Sequence, residues 1–132
     1  MIGLDTNVLV RYLAQDDKVQ SALAAKLVET TLSASNPGFI PAVSLVEVVW
    51  VLEECYGSTR KEIADIVERL LRVKQLRVQD ADIVWLAVRL FRNGKADFAD
   101  CLIERECHAQ GCDCTVTFDK AAVKATGMRL LA

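Results

Sequence analysis

Met1-Ile2-Gly3-Leu4-Asp5-Thr6-Asn7-Val8-Leu9-Val10-Arg11-Tyr12-Leu13 opens the chain with a change of pattern from strand to helix. Ile2 to Leu4 reads as a short apolar strand that stops at Asp5, and Asn7 to Leu13 as the helix after it. A strand that hands over directly to a helix is half of a right-handed crossover. Repeating that unit builds a parallel sheet covered by helices.

The unit recurs along the chain. A second helix is predicted from about Lys18 to Leu32, capped by Asp16 or Asp17, with Val19, Leu23, Leu27 and Val28 as its apolar set. Ser33-Ala34-Ser35-Asn36-Pro37-Gly38 is a loop by composition. Phe39 to Val43 reads as the second strand, followed by an apolar helix from about Ser44 to Gly57. Thr59 and Glu62 form a capping box ahead of the stripe Ile63, Ile66, Val67, Leu70 and Leu71. Leu76 to Val78 is the third strand, and Asp80 or Asp82 caps a helix that ends at Asn93-Gly94. A further helix spans about Phe98 to Gln110, with Gly111 as its stop. Cys114 to Phe118 is the fourth strand, a short helix runs to Gly127, and Met128 to Leu131 is a fifth strand. The expected fold is α/β: one domain over residues 1–132, a three-layer α/β/α sandwich on a mainly parallel sheet of four or five strands, the first of them central.

Composition narrows the function. The chain has 132 residues, 52% of them hydrophobic and 26% charged, which describes a globular domain with a real core. Its longest apolar run, Leu45 to Leu52, contains Glu47 and is too short to span a membrane. The N-terminus meets Asp5 at once, so no export signal is read and the cytoplasm is the expected location. Five cysteines without an export signal argue against a disulfide framework. Cys107-His108 and Cys112-Asp113-Cys114 lack the paired spacing of a zinc site, and the cysteines are expected to be small buried hydrophobes. A net charge of −2 argues against a binder that relies on a basic patch. It is compatible with an enzyme that meets phosphates through a bound cation.

In open parallel sheets, ligands sit beyond the carboxyl ends of the strands. Asp5 follows the first strand directly and Asp119 follows the fourth, while Glu47 falls in the first turn of the helix after strand two. Asp97 and Asp100 open the helix that leads into strand four. Carboxylates gathered on one rim repel each other, and a divalent cation removes the conflict; oxygen donors of this kind suit Mg²⁺ or Mn²⁺. Each acid also has a plain alternative as part of a helix cap: Ser44 to Glu47 matches a capping box, Asp97 is a plausible N-cap with Asp100 at the third position, and Asp119 can cap its own helix.

Asp5-Thr6-Asn7-Val8-Leu9, the lone Glu47 in an apolar helix, Asp97-Phe98-Ala99-Asp100-Cys101-Leu102-Ile103 and Thr117-Phe118-Asp119-Lys120 together resemble the PIN domain, in particular the VapC-type toxins of bacterial toxin–antitoxin pairs. The resemblance covers nearly the whole chain, with the motifs in order. It implies a metal-dependent endoribonuclease whose acids are Asp5, Glu47, Asp100 and Asp119, with Asn7 and Thr117 as polar support. Asp97 is an additional acid just upstream, and either Asp97 or Asp100 can be the one that faces the metal. The resemblance further implies an RNA substrate, a cognate antitoxin protein and a homodimer. Direct ligation is assigned to Asp5, Asp100 and Asp119, and orientation or deprotonation of the attacking water to Glu47.

Rival readings use the same acids. A phosphatase of the haloacid-dehalogenase type needs a second Asp where this chain has Asn7. A response-regulator receiver places its phosphoacceptor after the middle strand rather than at residue 5. From another class comes a non-catalytic interaction module, with the acids as helix caps and the apolar surplus used for pairing.

Overall fold

Each of the first four strands leads into a helix in the computed structural model, which describes residues Met1–Ala132. In chain order the elements are β1 (Ile2–Gly3), α1 (Thr6–Ala14), α2 (Lys18–Lys26), β2 (Gly38–Ile40), α3 (Ala42–Tyr56), α4 (Arg60–Arg72), β3 (Leu76–Val78), α5 (Ala81–Asn93), α6 (Phe98–Ala109), β4 (Val116–Thr117), α7 (Lys120–Thr126) and β5 (Arg129–Leu130). Every strand pairing is parallel, as alternation of strands and helices requires.

The strands divide into two groups. β1 pairs with β2 and β2 with β3, while β4 pairs only with β5. The expectation of a central first strand is therefore corrected: β2 is the middle strand, and β1 lies at the outer edge of its sheet. β4 takes its parallel partner from β5 instead, with Val116 opposite Arg129 and Thr117 opposite Leu130.

Local chemistry sets most helix starts. Asp17 accepts hydrogen bonds from the amides of Val19 and Gln20 at the head of α2. Thr59 and Glu62 form the expected reciprocal capping box on α4. α3 starts differently. It begins at Ala42 after Pro41, and the Ala42 amide donates to Gln79 Oε1 at 2.8 Å, a partner from the end of β3. The Ser44–Glu47 capping box is thereby excluded, and Glu47 falls in the second turn of α3 rather than the first.

α2 also departs from expectation. It ends at Lys26 and continues as a wider π turn over Leu27–Thr31. Val19 and Leu23, expected inside, are 69% and 64% exposed, and the buried face is Ser21, Ala24 and Val28. Small side chains on that face let α2 lie close against α1.

The core is one cluster that includes Leu4, Leu9, Ile40, Leu45, Val67, Val84, Phe91 and Phe98. One lock within it matters for the acids. Phe91 of α5 and Phe98 of α6 meet edge to face, with ring centroids 5.8 Å apart. The Arg60 guanidinium lies 4.2 Å over the Phe91 ring and donates to the carbonyls of Phe91 and Ala96 at 2.7 and 2.8 Å. α4 thus holds both ends of the α5–α6 connection, which delivers Asp97 and Asp100. Of the five cysteines only Cys101 is buried; in the late cluster Cys107 is half-buried and Cys112 and Cys114 are exposed, contrary to the expectation of small buried hydrophobes there. No helix is long and apolar enough to cross a membrane.

Candidate active site

Three of the sequence-predicted acids stand at helix starts. Asp5, Asp97 and Asp119 are the N-caps of α1, α6 and α7. Asp5 Oδ1 accepts from the Thr6 amide at 2.8 Å, Asp97 Oδ1 from the Asp100 amide at 2.8 Å, and Asp119 Oδ1 from the Ala121 amide at 2.8 Å. Capping uses one oxygen of each carboxylate and leaves the other free. The Thr117 hydroxyl accepts from the Asp119 amide at 3.0 Å, so Thr117 shapes the turn that presents this acid.

Two groups form around these caps. In the first, Thr6 joins two acids: its amide donates to Asp5, and its hydroxyl donates to Glu47 Oε1 at 3.0 Å. Thr6 is 8% exposed, so this link spanning 41 residues is set into the edge of the core. It is the residue that sequence reasoning left out of the site, although it sits inside the quoted Asp5-Thr6-Asn7 motif. Asn7 is among the residues lining a shallow cavity of about 290 Å³, with Arg11, Gln20 and Leu23.

In the second group, Asp100 is held above the ordinary carboxylate value. Partial burial is the main cause, followed by the negative charges of Asp97 and Asp119 and by its bond with Asp97. Asp97 acts on a further acid, Glu53 of α3, which is raised first by burial and then by that charge. The ion pairs of the protein engage Asp16, Asp65, Glu68 and Glu104. None of Asp5, Glu47, Asp97, Asp100 or Asp119 takes part in them. The two groups lie on helices that pack together, since Ala42, Val43 and Val46 of α3 line one cavity with Ala99, Leu102 and Ile103 of α6.

As they stand, no three His, Cys, Asp or Glu side chains close around one point at ligating distance. The donor set still fits a hard cation: oxygen ligands only, crowded like charges and no basic partner. A cap can also be separated from a ligand by experiment. Asp97→Ala is expected to lower folding stability by about 1 kcal/mol more than Asp97→Asn, because Asn caps as well as Asp. Urea unfolding of the two variants measures the difference, and equal stabilities would show that the cap contributes nothing.

Comparison with known proteins follows the same residues. The PIN domain family model matches residues 2–127, from the start of β1 to the glycine after α7. A VapC ribonuclease of Aquifex aeolicus (strain VF5) is 26% identical over 118 residues, spanning 89% of this chain and 86% of that protein. With nearly the whole parallel α/β frame matched, this chain belongs to the PIN domain family.

Proposed function

We propose that this protein is a Mg²⁺- or Mn²⁺-dependent endoribonuclease, the toxin of a toxin–antitoxin pair, with Asp5, Asp100 and Asp119 as metal ligands. The observation that carries the reading is Asp100, partly buried beside two like charges and without a cationic partner. Similarity to a VapC ribonuclease supports RNA as the substrate.

When bound, the cation lowers the pKa of a water ligand and neutralises charge that grows on the phosphate. The protein's own residues supply the rest. Asp5 and Asp119 offer their free oxygens from the heads of α1 and α7. Asp100 points from the first turn of α6, with Asp97 fixing that turn by its cap. Glu47, steadied by the Thr6 hydroxyl, orients the attacking water or takes its proton. Asn7 and Thr117 support the acids beside them.

Lys95 and Lys120 flank Asp97 and Asp119 in sequence, are exposed, and are free of ion pairs, so they can meet the RNA backbone. Arg11 is already engaged by Gln20 and Asp16. So few phosphate contacts give weak, salt-sensitive binding, and selectivity must come from RNA shape and unstacked bases. The proposal includes a cognate antitoxin whose Arg enters the carboxylate site, a homodimer, and a cytoplasmic location. Exposed Val43, Trp50 and Ile103 on α3 and α6 give apolar surface for protein contacts.

The test is cleavage of single-stranded and hairpin RNA by purified protein with Mn²⁺ or Mg²⁺, with EDTA, and with added antitoxin. Cleavage is expected only with metal and without antitoxin. Undiminished cleavage in EDTA would overturn the metal-dependent reading.

A further inference from the structure

Helix α6 ends in a turn closed by two hydrogen bonds. The Cys112 amide donates to the Cys107 carbonyl at 3.1 Å and the Gly111 amide to the His108 carbonyl at 3.0 Å. Gly111 takes φ +86°, the left-handed residue this ending requires. In this kind of helix stop, the residues that give and receive the outer bond frequently pack their side chains on one another. Here both are cysteines.

Covalent dimensions bound their separation. With a carbonyl oxygen about 2.4 Å and an amide nitrogen about 1.5 Å from their own Cα atoms, the hydrogen bond keeps the two Cα atoms within about 7 Å. Any bend in the turn brings them into the window of roughly 4.4–6.8 Å that a disulfide spans. Cys112 is exposed and Cys107 half-buried, so a small reagent reaches the pair. Cys101 behaves differently: it is buried in the core, and its thiol is pushed up to about 11, mainly by that burial.

We propose that Cys107 and Cys112 are a redox modification site: a thiol pair that closes reversibly into an intramolecular disulfide across the end of α6. The oxidant is a low-molecular-weight disulfide. The thiolate of Cys112 attacks one sulfur of the reagent, breaking its S–S bond and releasing one small thiol. The Cys107 thiolate then attacks Cys112 Sγ and expels the second small thiol. The protein loses two thiol protons and two electrons, and the reagent gains both. Closure pins the last turn of α6 to the segment that leads through β4 to Asp119, restricting the link between Asp100 and Asp119. The inference stands on the turn alone and does not depend on metal binding or nuclease activity.

The experiment treats the reduced full chain with oxidised glutathione, then reads intact mass and non-reducing peptide maps. The expected product has lost two hydrogens and carries a Cys107–Cys112 linked peptide that dithiothreitol releases. Cys114→Ser should form it equally well, whereas Cys112→Ser should stop at a mixed disulfide or remain a free thiol. Hydrogen exchange of the Gly111 and Cys112 amides should slow in the oxidised wild type. Free thiols only, persistent mixed disulfides, or a bridge through Cys114 or Cys55 in the wild type would each overturn the proposal.

Discussion

Asp100→Asn protein should lose metal-dependent RNA cleavage by more than about 100-fold, above the 10–100-fold typical of an outer-shell partner. Without metal, the same variant should unfold at a higher temperature than the parent at neutral pH. Both effects have one origin. Burial and the charges of Asp97 and Asp119 raise the Asp100 carboxyl above its ordinary value of 3.8, so its ionised form destabilises the folded chain. A group raised in the folded state holds its proton longer there than in the unfolded chain. Stability therefore falls as pH rises from 3.8 through the folded value, and the cost is fully present above it. The neutral amide avoids that cost, so the advantage of the variant should vanish below pH 3.8. Melting curves across pH, with and without Mn²⁺, check this. Metal should stabilise the parent and leave the variant unmoved, and a variant that still cleaves RNA at the parent's rate would remove Asp100 from the site.

Phe98→Ala should cost about 3–5 kcal/mol of folding stability and lower the melting temperature by roughly 10–20 °C. Phe98 is 1% exposed and begins α6 directly after Asp97. Its ring meets Phe91, which in turn carries the Arg60 guanidinium. Removing the ring opens a cavity where α4, α5 and α6 converge and forfeits the edge-to-face contact. Because the Asp97 cap and Asp100 lie on the same turn of backbone, metal affinity should weaken along with stability. Urea unfolding and a metal titration measure the two losses. A stability loss under about 1 kcal/mol would mean that the start of α6 is held by its cap and not by the ring.

Much of the fold was legible because short-range chemistry decides it. The third strand, Leu76–Val78, lies where its alternating residues and flanking turns place it. Asp17, Thr59 with Glu62, Asp97 and Asp119 all cap the helices they precede, since a cap needs only residues within four positions of it. For Asp97 and Asp119 the capping reading is the one seen in the structure, and the proposed metal role calls on the second oxygen that a cap leaves unused. The acidic set was visible as well, through its positions after strands and at helix heads.

Tertiary contacts decided what periodicity could not. The residues that bury on α2 are Ser21 and Ala24, with Val28 in the π turn after it, while Val19 and Leu23 stay exposed because the face turned to the rest of the fold is set by packing and not by hydropathy. The start of α3 depends on Gln79, a residue 37 positions away, and this moved Glu47 out of the first turn. The Thr6–Glu47 bond, the Arg60 clamp on the α5–α6 connection and the pressure of Asp119 on Asp100 likewise join distant parts of the chain. The sequence by itself determined the order of strands and helices, the parallel pairing and the roster of acids. Only the tertiary structure decided that β1 lies at the edge of its sheet and which acids share a neighbourhood, because those outcomes depend on packing between segments that local pattern does not encode.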